Sequence, residues 1–353
     1  MPVMKRPAAA FSAALIVLAT ASSALAQKKY DPGASDTEIK IGNIMPYSGP
    51  ASAYGVIGKT EAAYFKMINE QGGVNGRKIN FISYDDAYSP PKTVEQARKL
   101  VESDEVLLIF NSLGTPPNSA IHKYMNTKKV PQLFVATGAT KWNDPKDFPW
   151  TMGWQPNYQS ETRIYAKYIL KQMPKAKIAV LYQNDDYGKD YLKGLLDGLG
   201  AKAKSMIIAQ DSYELSEPTI DSHIVKLKAS GADVFVNITT PKFAAQAIKK
   251  MGEIGWKPTH FLNNVSASIG SVIKPAGYEN AQDIISAAYL MDSSDPQWKD
   301  NAGMKSFDDF LAKHFPEGNR LDGGVMVGYN VAQTMVQVLK QCGDNLTRAN
   351  VMK

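Results

Sequence analysis

Cysteine is almost absent from this chain: Cys342 is the only one in 353 residues. No internal disulfide can form, so the fold must rest on its apolar cores. Histidine is nearly as scarce, and His122, His223, His260 and His314 stand singly. Their isolation excludes the short His/Cys ligand patterns of zinc sites. No G-x-S-x-G elbow and no Cys/His pairing offers a nucleophile. There is no basic run interleaved with aromatics, and the net charge is a mild +6, which argues against a nucleic-acid partner. Beyond the first 26 residues no apolar run could cross about 30 Å of hydrocarbon.

What is present is the composition of a folded protein, 44% hydrophobic and 21% charged. The length exceeds the usual span of one core and suits two domains. At the N-terminus Lys5 and Arg6 precede the apolar stretch Ala8 to Ala21, and Ala24-Leu25-Ala26 is an A-x-A site. This reads as a signal peptide, residues 1–26, cleaved after Ala26 to leave an exported protein in the periplasm. A membrane anchor is the blander alternative, but the stretch is too short to span. Cys342 follows an apolar helical run and precedes Gly343, so it reads as a packed thiol at a helix end.

One pattern occurs twice in the same order. An apolar strand-like run ends in Tyr, Ser, Thr, Gly or Asn, and a helical pattern starts at once. The first half has IKIGNIMPYSGPASAYG (Ile39 to Gly55), VLLIFNSLGTPPNSAIHKY (Val106 to Tyr124) and VPQLFVATGATKW (Val130 to Trp142). The second answers with KIAVLYQNDDYGKDYLKGL (Lys177 to Leu195), ADVFVNITTPKFAAQAIKKM (Ala232 to Met251) and PTHFLNNVSASIGSVI (Pro258 to Ile273). Apolar strands separated by amphipathic helices predict an α/β fold of two doubly wound lobes, each with a mainly parallel sheet. Ligands bind at the carboxyl ends of such strands, and two facing edges make a cleft.

The expected organisation is residues 27–157 plus 289–353 in lobe 1 and residues 158–288 in lobe 2. Residues 27–37 read as a polar leader, Ala53 to Ile68 and Val94 to Val101 as helices, and Lys78 to Tyr84 as a strand. Glu161 to Gln172 opens the second lobe as a helix, and Asp283 to Leu290 reads as a further strand. Helices over Met304 to His314 and Val325 to Leu339 are placed most economically back on the first lobe. No linker is long or Gly/Ser-rich, so the lobes are joined by a hinge that the chain crosses more than once.

Several motifs dissolve on inspection. Gly58-Lys59-Thr60 invites a P-loop reading, but the Gly required five positions earlier is Ala53. Asp85-Asp86 and Asp185-Asp186 resemble metal pairs, yet lack a third ligand and fit helix capping better. The triplets at Asn237, Asn264 and Asn345 match the glycosylation pattern, and for the first two, at strand ends inside the presumed cleft, chance is the better explanation. Neither a cofactor nor a metal is expected, nor enzymatic activity.

The strand tips are more specific. Leu113-Gly114-Thr115-Pro116 and Thr137-Gly138-Ala139-Thr140 combine hydroxyls, small residues and helix N-termini, where backbone N–H groups and the dipole favour an anion. Plain N-capping by Thr115 and Thr140 is the ordinary reading, and one hydroxyl can serve both roles. Around the tips lie Tyr47, Tyr54, Trp142, Tyr158, Tyr187 and Phe243, divided between core packing and apolar cleft walls. The candidate ligand-binding set is Tyr47, Tyr54, Leu113, Gly114, Thr115, Ala136, Thr137, Gly138, Ala139 and Thr140, with Tyr158, Tyr187, Thr239, Thr240, Asn263 and Asn264.

Taken together, IKIGNIMPYSGPASAYG, the INEQGGVNGRKI turn, YDDAYSPPKTVEQARKLV and QNDDYGKDYLKGLLDGL resemble the periplasmic binding proteins of the branched-chain amino acid (Leu/Ile/Val) type. The resemblance covers residues 38–353 and implies a type I fold that closes on a ligand without catalysis. It implies that Thr115 and Thr140 hold a ligand carboxylate beside the Gly138 backbone, that Tyr54 is an aromatic wall, and that Tyr187 closes over the ligand. Amino-acid binders of this family carry an acidic residue for the ligand ammonium where this chain has Val265. Some members carry a disulfide cysteine where this chain has Tyr88. By the same resemblance the chain ends before the family's closing return through the hinge.

The expectation is an exported solute receptor of an ABC importer that binds a small organic acid, aromatic or branched aliphatic. A branched-chain amino acid is the alternative ligand, and a sensing module the alternative role. The partners implied are a membrane permease and, through it, ATPase subunits, with the protein acting as a monomer.

Overall fold

The computed structural model describes Met1 and residues 28–353. Apart from Met1, the expected signal peptide lies outside the described residues.

Two parallel sheets carry the molecule, and their strand orders repeat. In the first, β2 (Glu38–Met45), β3 (Lys78–Asp85), β4 (Leu108–Phe110), β5 (Gln132–Val135) and β6 (Thr151–Gly153) lie in the order β3-β2-β4-β5-β6. In the second, β7 (Ile178–Gln183), β8 (Ile207–Tyr213), β9 (Val234–Ile238) and β10 (Thr259–Leu262) lie as β8-β7-β9-β10, again all parallel. In each sheet the first strand has the second on one side and the third on the other, which is the doubly wound switch point.

The expected strand over Asp283 to Leu290 does not form. Only Ile285 meets the second sheet: its N–H donates to His260 O and its carbonyl accepts from Leu262 N, both at 2.9 Å. This one contact stands where β6 stands in the first sheet. The chain then turns away to return to the first lobe, so no ladder builds up.

Apolar runs explain the layers, because buried parallel strands must be covered on both faces. One face of the first sheet is covered by α1 (Gly55–Glu70), α10 (Ala302–His314) and α11 (Gly323–Cys342), through Phe65, Phe307, Tyr329 and Met335. The other is covered by α2 (Pro90–Arg98) and α3 (Thr115–Lys128), through Ala97, Ile121 and Met125. In the second sheet, α4 (Tyr158–Gln172), α5 (Asp186–Leu199) and the short α6 (Ala203–Met206) flank one face. The opposite face packs on α7 (Asp221–Ala229) and α8 (Pro241–Glu253) through Ile224, Leu227 and Phe243. One turn, α9 (Lys274–Ala276), follows in the stretch leading to the hinge.

Helices α10 and α11 thus pack on the first lobe, as their apolar faces predict. Helix α2 begins earlier than expected, at Pro90, because proline suits a first helical turn. The polar leader is partly structured: β1 (Lys29–Tyr30) pairs in parallel with β11 (Asn345–Leu346). The final turn α12 (Arg348–Val351) ties this pair to the first sheet: the Arg348 backbone N–H donates to Asp31 Oδ2 at 2.7 Å, and its guanidinium donates to Val106 O at 2.9 Å and Leu107 O at 3.0 Å. Cys342 is buried at the end of α11, before Gly343 at φ +57°.

Candidate functional site

A cavity of about 200 Å³ lies between the two sheets' carboxyl ends. Its walls come from the tips after β2, β4 and β5, the N-termini of α5 and α8, the turn after β10, the hinge segment 287–293, and the start of α11.

At the first-lobe wall, Gly114 has φ +99° and a side chain there would stand 2.5 Å from the Tyr88 ring. Glycine is required on both counts. Asp86 holds Tyr88 in place by accepting its N–H at 2.8 Å, while Asp86 also accepts from the Thr93 hydroxyl at 2.7 Å. The hydroxyls of Thr115 and Thr137 are 2.6 Å apart. Gly138 leaves room for the Tyr158 ring, which a Cβ would approach to 2.7 Å.

The helix N-terminus offers fewer donors than the sequence reading supposed. Pro116 and Pro117 have no N–H, and Asn118 N–H goes to Gly114 O at 3.0 Å, leaving that of Thr115. This terminus therefore presents side-chain hydroxyls more than free backbone N–H groups.

On the second lobe, Asp185 caps α5 by accepting from Tyr187 N (2.9 Å) and Gly188 N (3.2 Å). Capping, not metal binding, thus accounts for Asp185, and no metal-holding cluster occurs among the described residues. The Tyr158 ring stacks on Tyr191 with centroids 4.2 Å apart and meets Tyr187 edge-on at 5.5 Å. The turn carrying Val265 is fixed by Glu161, which is 5% exposed. Its carboxyl accepts from Tyr165 (2.7 Å), Tyr191 (2.9 Å) and Asn264 N (2.8 Å), and from the Asn264 amide. Across the cleft, the Tyr54 hydroxyl donates to Val265 O at 3.1 Å.

Burial holds the phenols of Tyr54, Tyr88 and Tyr187 well above the ordinary tyrosine value, and that of Tyr158 at about 12. All four keep their protons at neutral pH. Tyr54 spends its proton on Val265 O, and Tyr187 spends its own within the buried group of Asn263 and Thr239 O. The Tyr158 hydroxyl accepts from Gln155 at 3.2 Å and retains its proton to give. Among the described residues no Lys, Arg or His lines the cavity, and the charged side chains that do are Asp292 and Asp322.

Of the residues expected from sequence, the cavity gathers Tyr54, Leu113, Gly114, Thr115, Ala136, Tyr158, Tyr187, Thr240 and Asn264. The others support it from behind or turn elsewhere. Thr137 bonds Thr115, and Thr239 donates to Asn237 Oδ1 at 2.7 Å. Asn263 is buried against Tyr187, while Gly138 passes the Tyr158 ring and Ala139 is buried in the core. Thr140 commits both N–H (2.9 Å) and hydroxyl (3.0 Å) to Asp190. The Tyr47 hydroxyl sits 2.6 Å from Ser83. Trp142 and Phe243 are core residues, so half of the six flagged aromatics are walls and half packing.

Tyr88, Gln155, Met291, Asp322, Met326 and Val327 also line the cavity and were not anticipated as site residues. Tyr88 gave no signal beyond the lack of a cysteine. For α11, Asp322-Gly323-Gly324 was a readable N-cap, but only the return of the chain brings it to the cleft.

The periplasmic binding protein family matches residues 38–353. The Leu/Ile/Val-binding protein homolog 7 of Brucella abortus (strain 2308) is 25% identical over 329 residues, 87% of this chain and 78% of its own. A fatty acid ABC transporter substrate-binding protein from Thermomonospora curvata superposes with a TM-score of 0.77 at 22% identity, covering 92% of this chain and 82% of the other. A branched chain amino acid ABC transporter structure from Thermus thermophilus, with bound valine, gives 0.80 at 17% identity, covering 90% and 82%. The two structural likenesses bear on the fold. The match over residues 38–353 decides the family: this chain belongs to the periplasmic binding proteins, of the branched-chain amino acid type, which bind solutes and carry out no catalysis.

Proposed function

We propose that this protein is the solute receptor of an ABC importer and binds a small monoacid without an α-amino group, aromatic or branched aliphatic. The observation that carries the reading is that the hydroxyl-bearing residues Thr115, Tyr88 and Tyr158 share the cavity wall with Val265, where an acidic residue would be needed for an ammonium. An α-ammonium sits one carbon from its carboxylate, so it needs a partner at that same end, where this chain has none. Burying it there unpaired costs several kcal/mol. Asp292 and Asp322 stand on the hinge segment and at the start of α11 instead.

In this reading the acid bridges the lobes and favours the closed form only because it touches both. Lobe 1 comprises residues 27–157 plus 289–353 and lobe 2 residues 158–288, and the closed form docks on a membrane permease as a monomer. Export to the periplasm follows cleavage after Ala26. Among the described residues no helix is long and apolar enough to cross a membrane.

A thermal-shift screen of the protein from residue 27 tests this against amino acids, aromatic acids and short aliphatic acids. A binder at 100 times its Kd adds about 2.7 kcal/mol of stability. Stabilisation by aromatic or aliphatic acids supports the reading. Stabilisation by leucine or valine, with the acids inert, overturns it in favour of an amino-acid receptor.

A further inference from the structure

The cavity wall carries two polar groups that differ in charge. Thr115, Tyr88 and Tyr158 form a neutral hydroxyl group at the strand tips, knitted by the Thr115–Thr137 contact and the stacked tyrosines. Asp322, at the start of α11, is a charged member of the wall. It is the N-cap of α11, and its Oδ1 accepts from Gly324 N (3.0 Å), Ser268 Oγ (3.1 Å) and Ser271 Oγ (3.3 Å). No hydrogen bond joins the two groups, and apolar Ile57, Val265, Met326 and Val327 complete the wall.

Three donors fix the position of the Asp322 carboxylate. Among the described residues Asp322 makes no ion pair. The nearest arginine in sequence, Arg320, is committed to Asp308 at 2.6 Å and to the Ser293 carbonyl. A second negative charge arriving beside Asp322 would meet an unscreened like charge in a closed cleft.

We infer that Asp322 reads the far end of the ligand: the site accepts monocarboxylates with an uncharged distal end and rejects α,ω-dicarboxylates of equal length. This rests on the acid-binding reading above. Repulsion between carboxylates a few ångströms apart in a partly buried site is worth a factor of about 100 in affinity.

The test is isothermal titration of matched pairs: hexanoate with adipate, octanoate with suberate, and benzoate with terephthalate. Asp322→Asn is the informative variant, because asparagine caps a helix as well as aspartate does. Asp322→Ser serves if that variant folds poorly. The wild type is expected to prefer the monoacid of each binding pair by about 100-fold. Asp322→Asn should bring the diacid Kd at least about 10-fold closer to that of the monoacid, the ratio of the two being the readout. Asp292→Asn, at an exposed carboxylate held in its own turn by Ser294, should change the ratio less. Equal binding of monoacid and diacid by the wild type, or an unchanged ratio in Asp322→Asn, overturns this inference alone. Failure of every acid to bind overturns it together with the acid-binding reading.

Discussion

Thr115 concentrates the chemistry of the site. It contributes both a hydroxyl and the early N–H that the prolines of α3 leave available. Thr115→Val keeps the shape and removes the hydroxyl. A hydrogen bond to a charged group is worth about 1.5–3 kcal/mol, so the affinity for a bound acid should fall roughly 10- to 100-fold by titration calorimetry. An unchanged Kd would place the carboxylate elsewhere. Val265→Glu puts a carboxylate where amino-acid receptors of this type carry one. It should abolish acid binding through like-charge repulsion and admit leucine or valine in a thermal-shift screen. Loss of the acids without gain of the amino acids would show that the ligand ammonium needs more than this one partner. Both residues were legible in the sequence, because each lies at a strand tip of a repeated pattern. Thr140 was equally prominent there, but its donors go to Asp190, a partner the sequence does not reveal.

The loop after β8 shows how an element can be held by one titrating group. His223 on α7 lies between Asp211 (3.0 Å) on β8 and Glu217 (2.9 Å) on the loop, with Lys226 also pairing Asp211 at 3.1 Å. Burial alone would lower the imidazole pKa, but the hydrogen bonds to Glu217 and Asp211 outweigh it and raise the value above 6.5. A raised folded-state pKa contributes stability that is complete below the unfolded value and is lost as pH climbs through the folded one. His223→Gln should therefore cost more stability near about pH 5.5 than near about pH 9 in denaturant titrations. Equal losses at both would assign His223 a packing role only. At the start of α3, Gly114→Ala should destabilise by about 1–3 kcal/mol, since φ is positive and the added methyl meets Tyr88. A melting temperature unchanged by that substitution would mean that the Tyr88 ring moves aside freely.

At the scale of the whole molecule, the lobes meet through several contacts, among them Thr140 with Asp190 and Ser268 and Ser271 with Asp322. Tyr54 reaches Val265, Lys141 pairs with Asp186 at 2.6 Å, and Leu215 packs on both the second-lobe core and the Ala51–Tyr88 cluster of the first lobe. Leu215 joins the lobes without lining the cavity, so it acts on closure rather than on ligand contact. Leu215→Ser should weaken acid binding about 10-fold, the loss of one partly buried leucine contact, and shift small-angle scattering toward a more open form. If affinity falls while the scattering profile stays closed, Leu215 serves the second-lobe core instead.

Much of this architecture was settled by the order of residues alone. Strand, polar tip and helix recur as a local pattern, because apolar alternation and capping act over a few residues, and a repeated local order imposes two like sheets. The placement of α10 and α11 followed from their apolar faces, which had to be buried somewhere. What only the tertiary structure decided are the contacts between segments distant in sequence. The return of the chain brings Asp322, Met326 and Val327 to the cleft, and a left-handed turn lays Tyr88 over Gly114. A lone contact at Ile285 replaces the strand expected over Asp283 to Leu290, whose β-like composition did not determine whether the chain would stay beside β10. The proline pair after Thr115 was visible from the start. Its effect on the donors became clear only with the helix in place, because a missing N–H matters only where a cleft would have used it.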